Sequence, residues 1–506
     1  MTNVKCTSDT TTDRTNSESG VSLPLVALMM VTLLGLAAFA VDLGWFYLNA
    51  SRIQRAADAS ALAGVIHMPS DPTEASAVAH QVAQANGYED LGVPGSYPTV
   101  LATTVPEPTQ LQVTITDQVP TFFLKVFGMS NQVITKTAQA EFVPPLPLGS
   151  PDNQFGNSCD PTQPGCVGQP NFWANIHGRY TDTISGDAFS SACRKKTGSP
   201  CDGANSNSTF RDDAHKRPGY LYGIETNGAL SFDVEFIDLA FHNESGGLPT
   251  GDLIRTGDHS CGPTDPASCG PTVQVSLYPP DTTPLDVTDG TPICTQNIVP
   301  EAQVAETDAY TWENPSSCFL NVPGEPGIFV LQVRILSSGP DPVGLNRYAV
   351  RSLPDTTNLY ALGDMSIFNN STASVTSFHL AEVSDIYAGK TFVVELYDSG
   401  DSSANGTLEL IDPSGFIFND GPCDIYSRTL VTDDWVLKSS PVDCAEEVTP
   451  QEYNGKWLKF QVVLPEDYNC TDCWWKMNYD YSGGTQDTTT WRAYILGNPI
   501  HLVPQG

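Results

Sequence analysis

The sequence predicts an α+β membrane-anchored N-terminal region followed by a mainly-β remainder. Three observations carry that prediction. Residues 21–41 contain no charged side chain, and a helix of that length rises about 30 Å, the hydrocarbon thickness of a bilayer. Past residue 143, apolar and polar residues alternate in short runs separated by turn residues, the pattern of half-buried strands. The 506 residues include 41 Gly and 39 Pro, with 16% charged, a balance that favours turns and short strands over long helices. The layout expected is one transmembrane helix continuing into an extracytoplasmic helix, a small α+β unit, then two β-sandwich or jelly-roll-like modules. In residues these are a disordered cytoplasmic tail 1–20, the span 21–41, the α+β region 42–143, a linker 144–170, and modules at 171–353 and 354–506.

The tail is rich in Thr, Ser, Asn and Asp, a composition that buries little. Pro24 falls in the first turn of the span, where a missing N–H removes no intrahelical bond. A cleaved secretory signal competes for this stretch, since Ala38-Phe39-Ala40 has the form of a cleavage site; the long apolar run and the weakly basic tail argue against it. Asp42 marks the water interface, with Trp45, Phe46 and Tyr47 at headgroup level. Next, Arg52, Gln54, Arg55 and Asp58 alternate with Ala56, Ala57, Ala59, Ala61 and Ala63, and Gly64 supplies a stop. So many small side chains suit either an exposed helix end or a face on which another helix packs, including a second copy.

Gly20 before the span, VDLG at 41–44, Tyr47, Arg52 and QRAADASALAG at 54–64 together resemble the N-terminus of TadE/TadG-like Flp (tight adherence) pilus-assembly proteins. The resemblance rests on Asp42, Gly44, Gln54, Ala57, Asp58, Ala61 and Gly64, and covers only the N-terminal region. It implies a short cytoplasmic tail and one span carrying an extracytoplasmic domain, with pilus-assembly proteins as partners. Type IV-like prepilins carry Glu five residues after the cleavage Gly, whereas Leu25 stands there in this chain. The D-x-S-x-S string of von Willebrand-type domains is absent, Asp412-Pro-Ser414-Gly-Phe416 departing at its last position.

Residues 74–86 carry an Ala/Val face at helical spacing and stop at Gly87. Residues 99–104 and 111–116 read as strands, 122–127 (FFLKVF) as a short apolar helix, and 133–142 as a third strand. This order also resembles the region just outside the span in the same family. Pro-rich PPLPLGS at 144–150 reads as a linker. Strand patterns follow at 229–237, 273–277, 328–336, 348–351, 359–367, 377–383, 391–397, 407–411, 457–464, 474–481 and 489–496. A degenerate repeat is suggested by VQVSLYPPDTTP from Val273 beside FVVELYDSGDSS from Phe392; convergent turn chemistry explains the likeness almost as well.

A net charge of -34 with only 24 Lys and Arg excludes the basic patches that nucleic-acid binding needs. Of 13 cysteines, Cys6 precedes the span. Cys159, Cys166, Cys193, Cys201, Cys261, Cys269, Cys294, Cys318, Cys423, Cys444, Cys470 and Cys473 follow it. An even set beyond the span and a single thiol before it fit disulfides outside and a reducing compartment inside. Neighbours in sequence lie close together, so six local bridges are expected.

Catalytic strings are missing from the sequence: no H-E-x-x-H, G-x-S-x-G, P-loop or G-x-G-x-x-G after a strand. The chain is read as a non-enzyme without a cofactor. Two weaker features remain. Asp398, Asp401 and Asp412 would place hard oxygen ligands for Ca²⁺ in a loop, although Asp/Gly turns between strands are the commoner use of such residues. Trp474 and Trp475 must point to opposite faces of one strand, so one suits the core and the other would stack on a glycan or simply pack. The expected function is a single-pass cell-envelope protein presenting β-sandwich modules for structural or adhesive interaction, with the bulk outside the cytoplasmic membrane. The alternative is a membrane-anchored carbohydrate- or calcium-binding module.

Overall fold

The computed structural model describes residues 22–68, 72–90, 92–93, 95–104, 109–159, 166, 170, 172–178, 186–188, 219–243, 259–260, 272–281, 283–299, 301–302, 310–336, 344–371, 375–398, 405–429, 434–449, 452–453, 455–481, 485–497 and 500–503. The tail 1–20, Cys6, Cys193, Cys201, Cys261, Cys269 and Asp401 lie outside the described residues. The chain forms two compact units, residues 1–142 with 500–506, and residues 143–499.

In the first unit, α1 (Ser22–Val65) is one continuous helix of 44 residues, about 66 Å long at 1.5 Å per residue. It is long and apolar enough to cross a membrane, and its most apolar window is wholly unburied. Further along, Ile53, Ala56, Ala57, Ser60, Ala61 and Val65 recur at helical spacing and are all buried. This face packs on α2 (Pro72–Ala85), β2 (Gln110–Pro120) and β3 (Asn131–Phe142). The helix α2 starts with Pro72 in its first turn and buries Ala75, Ala79 and Ala83, four residues apart. Strand β1 (Thr99–Thr104) pairs antiparallel with β2, and β2 with β3. Leu111, Val113 and Ile115 of β2 point into the core. On the opposite face hydroxyls pair at Thr114–Thr137 and Thr116–Thr135, both 3.0 Å.

The alanine-rich face is covered by α2 and the sheet, so the helix that packs on it comes from the same chain. The sheet also has a fourth strand, Ile500–Leu502, paired with β3 through Ile500 and Phe142. The sequence pattern alone places these residues in the second module, 354–506.

Among the described residues, the second unit is built of strands apart from two short 3-10 turns. Its strands, in chain order, begin with β4 (Pro147–Leu148), β5 (Gln154–Phe155), β6 (Trp173–His177), β7 (Tyr220–Glu225), β8 (Ser231–Ile237), β9 (His242–Asn243), β10 (His259–Ser260), β11 (Val273–Tyr278), β12 (Cys294–Ile298), β13 (Glu301–Ala302), β14 (Val322–Pro323), β15 (Ile328–Ile335) and β16 (Gly344–Leu353). They continue with β17 (Asn358–Leu362), β18 (Met365–Ser371), β19 (Val375–Glu382), β20 (Thr391–Tyr397), β21 (Gly406–Ile411), β22 (Cys423–Thr429), β23 (Val436–Ser439), β24 (Ala445–Val448), β25 (Lys456–Val463), β26 (Trp474–Tyr481) and β27 (Thr485–Ile495). One sheet of 12 strands runs β14-β8-β16-β6-β18-β27-β20-β25-β22-β23, with β5 and β10 also on β16. The other, of 10, runs β12-β11-β15-β7-β17-β4-β19-β26-β21-β24. Side chains from both sheets form one core, including Phe155, Tyr222, Val275, Phe378, Trp475 and Trp491.

Within each sheet the same order occurs twice. The run β14-β8-β16-β6 matches β25-β20-β27-β18, and β12-β11-β15-β7 matches β24-β21-β26-β19. Two jelly-roll halves therefore meet edge to edge about a local two-fold axis. In one sheet the equivalent strands β6 and β18 pair directly, Ile367 with Ala174 and Phe368 with Trp173. In the other the leading strands are exchanged. Strand β4 precedes the first half yet pairs with β19 of the second, and β17 precedes the second half yet pairs with β7 of the first. The two meet at the axis as Ala361–Leu148 and Leu362–Pro147. Each ends in a glycine of positive φ, Gly149 at 82° and Gly363 at 77°, a turn that glycine takes without strain.

The expected linker at 144–170 is thus not a spacer, because β4 fills the middle of a sheet with Leu148 fully buried. The boundary between modules disappears into continuous sheets, and 359–367 is two strands broken at Gly363. The repeat has a different register from the one the sequence suggested: β8 corresponds to β20, and β11 to β21.

Candidate functional site

The residues of the family motif run along the second half of α1, most of them where it packs in the first unit. Asp42 is fully buried, one residue past the apolar run. Its carboxylate accepts backbone N–H bonds from Phe122 (2.8 Å), Phe123 (3.0 Å) and Leu124 (2.7 Å). These amides open the 3-10 turn Leu124–Phe127, whose first N–H groups have no partner within the turn, as at any helix start. Trp45, one turn along α1, meets Phe122 edge-on at 5.4 Å between ring centroids. The pairing links two segments 80 residues apart.

Further along, Gln54 donates to Asp58 Oδ1 (2.8 Å) and to the Thr137 carbonyl of β3 (3.1 Å). Ala57 and Ala61 are fully buried. At Gly64 a Cβ would lie 2.5 Å from the Ala75 carbonyl and 2.6 Å from Leu111 Cδ2, so only glycine permits this approach of α1 to α2. A Cβ at Gly44 would meet nothing within 4 Å, and nothing in the fold explains the glycine there. The role of Asp42 as an acceptor for distant amides went unread in the sequence. Its signal was an acid directly after the apolar run, which invites an internal partner.

The second unit places the other candidates apart from one another's chemistry. Asp398 is buried at positive φ, its carboxylate accepting from the Gly455 N–H. Asp412 caps its own turn, accepting from the N–H groups of Ser414 (2.8 Å) and Phe416 (3.3 Å). Both hold turns, and among the described residues no three His, Cys, Asp or Glu are grouped to bind a metal. Trp475 is fully buried among Phe392, Phe418 and Tyr468, with Nε1 donating to the Tyr468 hydroxyl at 3.0 Å. Trp474 is 7% exposed and packs edge-on against His379. Neither indole offers a platform on which a sugar ring would stack.

Among the described residues, four cystines join Cys159–Cys166, Cys294–Cys318, Cys423–Cys444 and Cys470–Cys473. Two of them tie the sheets together at opposite ends of the sandwich. Cys294 lies on the edge strand β12, and Cys318 in the 3-10 turn Ser317–Phe319 just ahead of β14, the edge of the facing sheet. Cys423 opens β22, and Cys444 precedes the edge strand β24.

These features define a class: an α+β unit built on a helix able to cross a membrane, carrying a cystine-tied double jelly roll. Residues 20–79 match the family described as putative Flp pilus-assembly TadE/G-like. The match spans α1 and enters α2, and it takes in every residue of the motif above. No curated protein matches the chain. Among solved structures, the N-terminal CBM22-1-CBM22-2 tandem domain from Paenibacillus barcinonensis Xyn10C is similar at 7% identity, over 55% of this chain and 79% of that one. Its TM-score of 0.14 carries no argument.

Proposed function

We propose that this chain is a non-enzymatic, single-pass cell-envelope protein of tight-adherence pilus assembly. Its N-terminus faces the cytoplasm and its second unit lies outside the membrane, offering the double jelly roll as a rigid structural or adhesive surface. The observation that carries the reading is the match over residues 20–79, which falls on a helix whose first half is apolar and unburied and whose second half is packed. The cystines favour an oxidising compartment for the second unit. Glycan or calcium recognition gains no support, since both indoles are buried and Asp398 and Asp412 hold turns.

The test is deletion of the chain in its native host, with surface fibres counted by electron microscopy, alongside protease treatment of spheroplasts. Loss of fibres or of surface attachment, with the second unit digested from outside, supports the reading. Unchanged fibres and attachment would sink the pilus role, and a protected second unit would reverse the orientation.

A further inference from the structure

The segment Phe122–Met129 is anomalous for a water-facing loop. Phe122 and Phe123 are each nearly half exposed, Val126 is 79% and Phe127 78% exposed, and Met129 is also exposed. Lys125 is the one charged residue among them and is exposed as well. Clusters of large apolar side chains this dense on a soluble surface mark something that covers them. The cover is identified by what holds the segment in place. Its three leading amides are bonded to Asp42, and residues 23–41 of α1, about 28 Å of helix, lie directly before that residue. The backbone at 122–124 is therefore fixed at the depth where the apolar run ends. Trp45, on the next turn, packs on Phe122.

We propose that Phe122, Phe123, Val126, Phe127 and Met129 insert into the lipid interface around α1, forming a second membrane contact beside the span. The inference rests on the reading of α1 as a membrane helix. The chemistry suits a lipid surface: aromatic and aliphatic rings reach about 5–10 Å into the headgroup boundary, while Lys125 has a stem long enough to keep its ammonium among anionic headgroups. Asp42 acts as the clasp. It accepts hydrogen bonds from the amides of a short turn that would otherwise face a poorly hydrated layer, and it is itself satisfied by them. The loop and the span are thereby one device. A protein partner on the same patch would have no need for its position level with the end of the apolar run.

The full chain is placed in nanodiscs of phosphatidylethanolamine and phosphatidylglycerol, with the photo-crosslinker p-benzoylphenylalanine at position 127 in one sample. Position 39 inside the apolar run and position 416, on an exposed turn of the second unit, carry it in two others. After irradiation, lipid adducts are quantified by mass spectrometry. Adducts at 127 that approach those at 39 and exceed those at 416 by about tenfold or more are expected for a residue inside the interface. Adducts at 39 but none at 127 would overturn the insertion while leaving the anchor standing. Adducts at 127 to protein alone would assign the patch to a protein partner and also overturn it. An absence of lipid adducts at position 39 would remove the anchor reading and the insertion together.

Discussion

The two units bury themselves in opposite ways. The first packs helix on helix and helix on sheet through Ala56, Ala57, Ala61, Ala75, Ala79, Ala83, Ala138 and Ala140, with Gly64 at the closest approach. The second fills its sandwich with Trp457, Trp475, Trp491, Tyr222, Tyr348, Tyr479 and Phe155 and ties its ends with cystines. Small side chains bring backbones together but give little area each, whereas large rings give area and leave voids when removed. The first unit should therefore be intolerant of added atoms, and the second of subtracted ones.

That contrast is open to direct attack, with the unfolding of each unit followed separately in the detergent-solubilised chain. The largest loss is expected for Trp475→Ala, about 3–5 kcal/mol from the second unit, seen as a fall in its denaturant midpoint. Opening the Cys423–Cys444 bridge by replacing both residues with Ser should cost about 3 kcal/mol, the loop-closure value for a separation of 21 residues. In the first unit, Asp42→Ala strips the partner from three amides and should lower that unit's denaturant midpoint by less than either change above. It should also raise hydrogen exchange at 122–124. Gly64→Ala should cost about 1–3 kcal/mol by overpacking, whereas Ala→Gly changes on the same face should cost less. Equal tolerance of Gly64→Ala and of an exposed control such as Gly44→Ala would break the comparison.

The smallest expected effect is a pH dependence confined to the second unit. Burial first, and then the nearby Arg347 guanidinium, hold the fully buried His177 well below the ordinary imidazole range. The unfolded chain therefore binds a proton at this residue that the folded one refuses. Stability is full above the unfolded value of about 6.5 and declines as pH falls below it. Melting of the second unit should drop between about pH 7.5 and 5.5, and His177→Gln should flatten the profile. An unchanged slope in that variant would assign the decline to other groups.

Legibility followed the range of the interactions. The helices α1 and α2 and the strands β1 to β3 were readable because periodicity is local: alanines four apart in α2, and Leu111, Val113 and Ile115 two apart in β2. The two-residue β4 was unreadable. It contains Pro147, and its place in the sheet is set by Leu362 and Ala381, far along the chain. The repeat was sensed but set in the wrong register, because Leu-Tyr followed by an Asp turn recurs for reasons of turn chemistry, whereas the true correspondence lies in pairing order. At the candidate site, the alanine face and Gly64 were visible as a pattern of small residues, but what they touch was not. Nor were the amide partners of Asp42, 80 to 82 residues away.

The pairing of Ile500 with Phe142 has a consequence for synthesis. A nascent chain emerges from the ribosome N-terminus first, so β3 is made long before the strand that completes its sheet. The same delay applies to β4, whose Leu148 pairs with Ala381 of β19, translated about 230 residues later, a separation that slows closure by loop entropy. The second unit lacks its full set of strands until Thr485–Ile495 has been delivered to the compartment where it folds, and the first until Ile500–Leu502 has. A chain cut short before Ile500 would leave β3 of the first unit with an open sheet edge, a ready mark for quality-control proteases.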